Sequence, residues 1–247
     1  MDRALYIAMT GAKNNMLAQA NHANNMANLN TNGFKADFEQ SRSMGVYYGD
    51  GHPTRAFALT ESPSADFSAG TMMATGNPMD VAIMGEGLIA VQAPDGSEAY
   101  TRAGNLNIDA SGILRTAGGL AVIGNSGPIS LPPITKMEIG SDGTISTIGL
   151  GQGAETMVDT NRIKLVNPDV KNLKKGEDGL FRQRDGLTAE TSATVRVASG
   201  MLESSNVNAM SEFTQILALS RQYEMQVKLM KTTEDNAQAS TQLLQMS

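Results

Sequence analysis

Each end of this chain carries apolar side chains at alternating spacings of three and four, and the residues between follow a different pattern. The N-terminal seam runs Leu5, Met9, Ala12, Met16, (Gln19), Ala23, Met26. The C-terminal seam runs Ala209, Phe213, Ile216, (Ser220), Tyr223, Val227, Met230. A helix presents such positions as one narrow stripe, which needs a second helix to cover it. At about 1.5 Å per residue, a helix over 206–244 spans roughly 55–60 Å. A β domain of about 130 residues has a diameter of roughly 36 Å. Such a helix overhangs any body it packs on, so its seam needs the first helix, another subunit, or both. A chain with ends of this kind is expected to be a building block of an assembly.

The two helices differ in strength. Asn14, Asn15, Asn21, Asn24, Asn25 and Asn28 sit in the first, together with Gly11, and these are poor helix formers. Its Ala-rich seam buries little area, so residues 1–30 are expected to order only against a partner. The pattern stops at Asn30-Thr31-Asn32-Gly33, where Asn and Gly can adopt the left-handed conformation that ends a helix. The second helix has Asn206 or Asn208 as a cap and Glu212 in its first turns, both favourable at a helix start.

Residues 34–71 have no sustained period. Phe34, Phe38, Val46, Tyr47, Tyr48, Phe57 and Phe67 are spaced among Gly, Asp, Ser and Pro, which predicts an irregular or hairpin-bearing connector with aromatic anchors. From 72 to 203 short β runs such as Val81-Ile83, Leu88-Val91, Ala99-Arg102, Thr144-Thr147, Arg162-Val166 and Val195-Ala198 are divided by turns at Asp95-Gly96, Asp142-Gly143, Asp178-Gly179 and Asp185-Gly186. The expected fold is a mainly β central domain, sandwich or irregular barrel, flanked by N- and C-terminal α-helices that pair as a coiled coil. The expected divisions are 1–33 (N-terminal helix), 34–71 (connector), 72–203 (β domain) and 204–247 (C-terminal helix).

Composition removes several functional classes. The net charge of −6 and the pI near 5.0 argue against a nucleic-acid groove; Lys171, Lys174 and Lys175 are expected to be a solvated loop. There is no cysteine, and there are only two histidines, so neither thiolate nor imidazole metal clusters are expected. No apolar run approaches the ~18 residues of a membrane span. The opening Met-Asp-Arg-Ala-Leu-Tyr lacks the order of a secretory signal, so the expectation is a cytoplasmic protein, or one exported without a cleaved signal. His22 and His52 are expected at the surface with no nucleophile nearby. Gly149–Gly153 lacks phosphate-loop spacing and is expected to be a surface loop. Glu177, Asp178 and Asp185 lack the alternating oxygen ligands of a Ca²⁺ loop and read as turn residues. No catalytic, cofactor-binding or metal-binding residues are assigned.

Three motifs narrow the reading. Asn24-Asn-Met-Ala-Asn-Leu-Asn-Thr-Asn-Gly-Phe34-Lys35 resembles the N-terminal signature of the bacterial flagellar rod and hook family. Its signature positions here are Asn25, Asn28, Asn32, Gly33, Phe34 and Lys35. Thr75-Gly-Asn-Pro-Met-Asp-Val-Ala-Ile83 with Tyr100-Thr-Arg-Ala-Gly104 is similar to that family's central-domain entry. Leu202-Glu-Ser-Ser-Asn-Val207, which includes Ser205, Asn206 and Val207, and then Arg221-Gln-Tyr-Glu224 resemble its C-terminal signature. Met1-Asp2, Arg162-Ile-Lys-Leu-Val166, Asp178-Gly-Leu-Phe-Arg182 and Leu243-Leu-Gln-Met-Ser247 resemble the proximal-rod branch, with the distal rod as the alternative. A hook subunit, or a secreted trimeric fibre with helical ends, fits less well.

The resemblance implies a non-enzymatic axial subunit whose terminal helices pack into an inner tube with the β domain outside. It implies partners that are further copies and other rod subunits, and passage through the flagellar export apparatus without a cleaved signal. No cofactor, nucleic acid, small-molecule substrate or direct membrane insertion is implied. Leu5, Met9, Ala12, Met16, Ala23, Met26, Phe213, Ile216, Tyr223, Val227 and Met230 are the expected assembly interface.

Overall fold

The computed structural model describes residues 2–38, 41–46, 55–60, 64–151 and 157–245. Tyr47, Tyr48, His52, Gly153 and the closing Met246-Ser247 lie outside the described residues. The chain divides into two compact units, one of residues 1–27, 37–64 and 208–247, the other of residues 28–36 and 65–207.

The first unit is built on two helices, α1 (Asp2–Ala27) and α2 (Ala209–Gln245), which pack on each other; α1 also packs on the strand Arg55–Thr60, which forms a hairpin with Ser41–Val46. Asn208 caps α2, its side-chain oxygen accepting from the N–H groups of Met210 and Ser211. At 37 residues, α2 is about 55 Å long. α1 ends earlier than its Asn-Gly signal suggests. The Thr31 N–H donates to the Asn28 carbonyl in a turn, and no described residue other than glycine takes positive φ. The left-handed conformation at Gly33 (φ 70°) serves a different contact, described below.

The second unit is mainly β. Its largest sheet is antiparallel and orders Leu173–Lys175, Phe181–Gln183, Glu98–Thr101, Leu88–Gln92, Ala121–Gly124, Leu114–Thr116 and Leu106–Ile108. Leu165–Val166 and Gly127–Pro128 attach beside this path. A three-stranded sheet contains Ile134–Ile139, Thr144–Gly149 and Val158–Arg162. Two ribbons pair Val81–Met84 with Arg196–Ser199 and Met72–Ala74 with Met201–Glu203.

Side chains alternate across a strand, and Leu88–Gln92 uses both of its faces. Ile89 and Val91 enter a large core with Val81, Ile83, Leu114, Val122, Ile145, Ile163 and Val197. Leu88 and Ala90 enter a smaller core with Tyr100, Val166, Leu173 and Phe181. The predicted run Arg162–Val166 is split, because Arg162 closes one strand and Leu165 opens another. The glycines of all four predicted Asp-Gly turns take positive φ, which glycine adopts without steric cost.

The aromatic anchors of the connector are partly in view. Phe67 packs on Phe181 with ring centroids 4.9 Å apart. Phe34 lies beneath the Lys175 ammonium, 3.9 Å from its ring centroid. Phe38 is exposed.

Candidate functional site

The covered face of α2 has a regular spacing. Ala209, Glu212, Ile216, Leu219, Gln226, Met230, Thr233, Ala237 and Ser240 are half-buried, a three-four repeat that skips only Tyr223. On α1 the buried positions are Ala8, Ala12 and Asn25, flanked by half-buried Gly11, Asn15, Ala18, Gln19 and His22. Two contacts fix the helices as antiparallel. His22 Nδ1 meets Glu212 Oε2, and Gly11 faces the Gln226 side chain.

This face is offset by one residue from much of the stripe that hydrophobicity picks out. Ala12 is buried, and Met26, Ile216 and Met230 are half-buried, but Ala23 is exposed. Leu5, Met9, Met16, Phe213, Tyr223 and Val227 are all exposed, Met16 to 64% and Phe213 to 49%. On α1 the covered side chains are mostly small or polar, and on α2 Ile216, Leu219 and Met230 are interspersed with Ala and polar residues. The six exposed apolar side chains form a flank that this chain leaves open. Contiguous exposed apolar side chains of this kind mark interaction surfaces.

The signature residues converge elsewhere, within the second unit. After the turn at Asn28–Thr31, the Gly33 N–H donates to the Glu203 carbonyl at 2.8 Å. A Cβ at Gly33 would overlap the Arg102 carbonyl, so the close approach and the positive φ both require glycine. The Ala36 N–H donates to Asn206 Oδ1 (2.8 Å), and Asn206 Nδ2 donates to the Asp66 carbonyl (2.8 Å). Asn206 is thus a bridge between chain segments, not the helix cap. The Ser205 hydroxyl accepts from the N–H of Val207, which is buried.

Lys35 lies at the centre. Its ammonium donates to Glu203 Oε1 at 2.6 Å and to the Ser68 carbonyl at 2.7 Å. Arg102 Nη1 donates to Glu203 Oε2 at 2.8 Å, and its remaining nitrogens donate to the Gly85 and Gly87 carbonyls. The Gly70 N–H also donates to Glu203 Oε1. The side chains of Lys35 and Glu203 are fully buried and that of Arg102 nearly so. Burial lowers the pKa of the Lys35 ammonium, against the opposing pull of Glu203. Burial alone would push the Glu203 carboxyl up, but the hydrogen bonds from Lys35, Arg102 and Gly70 outweigh it and hold the carboxyl below its usual range. Lys35, Arg102 and Glu203 come from the Asn24–Lys35, Tyr100–Gly104 and Leu202–Val207 motifs respectively. The Thr75–Ile83 motif contributes the ribbon leading to the cluster, with the Thr75 N–H on the Gly200 carbonyl and the Val81 N–H on the Gly104 carbonyl.

Other candidate groups have structural roles. Asp178 pairs with Arg182 at 2.7 Å, which keeps its carboxyl low. The Leu187 N–H and the Asn172 side chain do the same for Asp185. Lys171 and Lys174 are exposed, but Lys175 is not simply solvated, since it also donates to the Lys35 carbonyl at 2.9 Å. His22 is half-buried against Glu212 instead of free at the surface. Among the described residues no group of three or more His, Cys, Asp or Glu could hold a metal ion, and no helix is long and apolar enough to cross a membrane.

Residues 82–147 match the family model of the flagellar hook protein FlgE/F/G D1 domain. Residues 198–243 match that of the flagellar basal body rod FlgEFG protein C-terminal region. Arg102 falls in the first and Glu203 in the second. The chain is 41% identical to the flagellar basal-body rod protein FlgF of Escherichia coli over the whole length of both. It is 38% identical to FlgF of Salmonella typhimurium, again over the whole of both chains. It is also 30% identical to the flagellar basal-body rod protein FlgG of Buchnera aphidicola, over 97% of this chain and 99% of that one.

Proposed function

This chain belongs to the flagellar basal-body rod protein family as a structural subunit of the rod, and from that premise we propose a non-enzymatic axial role in the proximal rod. The observation that carries it is the open apolar flank of the helix pair, formed by Leu5, Met9, Met16, Phe213, Tyr223 and Val227. These side chains would meet the helices of neighbouring copies and of other rod subunits. Contacts of that heterologous kind repeat without closing into a small ring, as a helical shaft requires.

In this reading α1 and α2 pair as an antiparallel coiled coil, supported by the three-four spacing of the covered positions on α2. The helices α1 and α2 form part of the inner layer of the shaft. The subunit transmits torque through the periplasm and reaches it through the flagellar export apparatus.

Purification of basal bodies from cells carrying a tagged chain, followed by a density map, tests this. The expected result is the chain in the shaft segment nearest the inner-membrane ring, with α1 and α2 lining the lumen. Density in the segment nearest the hook would favour the distal-rod alternative. A shaft without the chain would sink both.

A further inference from the structure

We propose that His22 and Glu212 form a polar pin that fixes the register of α1 on α2. The inference concerns the helix pair of a single chain and stands apart from the axial role. The two residues are 190 positions apart, with side chains 30% and 14% exposed, and both lie on the covered faces.

The rest of the seam specifies register weakly. Ala8, Gly11, Ala12 and Ala18 of α1 are small and interlock little with whatever lies opposite. A slide of seven residues along α2 would place Leu219 where Glu212 stands and Thr233 where Gln226 stands, keeping α2 residues of the covered face on the seam. The pin does not tolerate this slide. His22 would face Leu219, which offers its ring no acceptor, and Glu212 would run past the end of α1 at Ala27 and lose its donor. The opposite slide carries Glu212 along the covered face to where Leu219 now lies, away from His22. There the carboxylate meets only the neutral amides of Asn15 and Gln19, while His22 lies beyond the start of α2 at Ala209 and loses its acceptor. A single polar contact on a helix seam fixes register in this way at some cost in stability. Gly11 provides a second notch, since an added Cβ would lie 3.1 Å from the Gln226 amide nitrogen.

The absence of native cysteine makes the test direct. In the full chain, Gly11→Cys with Gln226→Cys reports the observed register, and the paired substitution also removes the amide that a new Cβ would meet. Gly11→Cys with Thr233→Cys reports the register in which Leu219 faces position 22. The pin predicts that the first pair oxidises in preference by about tenfold, the scale of one charge-assisted hydrogen bond. In a His22→Leu/Glu212→Leu background both registers set one leucine against another, so both pairs should form disulfides to within about twofold, with helix content unchanged by circular dichroism. His22→Gln, which keeps a donor for the carboxylate, should retain the preference. A tenfold preference that survives in the Leu/Leu background would place register control in the chain segments joining the helices and overturns the proposal. The lack of any preference in the native background overturns it too.

Discussion

Lys35 Nζ and Glu203 Oε1 meet at 2.6 Å across 168 positions of sequence, and neither side chain is exposed. The pair ties the segment that follows α1 to the segment that precedes α2, and Arg102 ties both to the large sheet. Residues 28–36 are therefore part of the β unit. Removing one partner from such a cluster leaves an uncompensated buried charge, which costs more than the intact pair contributes.

Glu203→Leu strands both Lys35 and Arg102 and should destabilise the β unit by about 3–5 kcal/mol. Lys35→Met should cost a similar amount singly, and the double substitution less than the sum of the two, because the groups share one network. Urea unfolding of the four proteins measures the coupling. Additive losses would mean that the cluster does not act as a unit.

A fragment of residues 28–207 keeps the cluster whole and should unfold cooperatively. A fragment of 72–203 lacks Lys35 and the Ser68 and Gly70 partners, and also the Phe67 ring on Phe181. It should be less stable than the longer fragment by about 3 kcal/mol or more. Equal denaturation midpoints would contradict the assignment of 28–36 to this unit.

Much of the β unit is legible in the sequence, because the information there is local. Val81–Ile83 and Leu88–Val91 are apolar runs bounded by turn residues, and both form strands. The cluster is not legible by any physical rule. Lys35, Arg102 and Glu203 look like surface charges until the chain folds, since each partner is remote in sequence. Only the family resemblance marks those stretches. The helix seams are legible but in part displaced by one residue, because the larger side chains of Leu5, Met9, Met16 and Phe213 dominate a hydrophobicity reading. Packing of α1 uses Ala8, Gly11 and Ala12, whose small size lets another backbone approach. The Met72–Ala74 strand escapes a period-two reading because all three of its residues are exposed.

Acid should unfold the β unit through its held-down carboxylates. The Glu203 carboxyl sits below its ordinary range in the folded state. Asp109 is likewise held down, by Ser111, Arg115 and the Ile113 N–H. A group whose folded pKa is depressed adds stability above its unfolded pKa and loses it as pH falls through the folded value. Stability should therefore hold at neutral pH and decline below about pH 4, the ordinary carboxylate range. Lys35 has the opposite charge type. Its lowered pKa makes the ammonium form a cost at neutral pH, so it gives no protection against acid. Denaturant midpoints across this range measure the slope, which Glu203→Gln should flatten.

At the alkaline end Tyr100 controls a separate transition. Burial pushes its phenol up to about 12, despite the opposing hydrogen bond from the Ala189 N–H. A raised folded pKa gives stability that is present below the unfolded value near 10 and lost as pH rises through about 12. Tyrosinate absorbance should show a late step for Tyr100 that is lost in Tyr100→Phe. That variant also leaves the Ala189 N–H without its acceptor and should cost about 1–3 kcal/mol. A late step that persists in Tyr100→Phe would assign it to another residue.

The open flank of the helices gives the prediction closest to function. Phe213 and Val227 are both exposed in the single chain, so Asp at both positions adds charge to the open face of α2 without entering its covered face or either core of the β unit. Within one chain the cost should be small. Between subunits each carboxylate would be driven into an apolar contact, at about 2 kcal/mol or more apiece, and every added subunit would repeat that cost. The double variant should keep the unfolding profile of the β unit, lose incorporation into basal bodies and abolish swimming. Normal motility of the Phe213→Asp/Val227→Asp strain would show that this flank faces solvent in the assembled shaft.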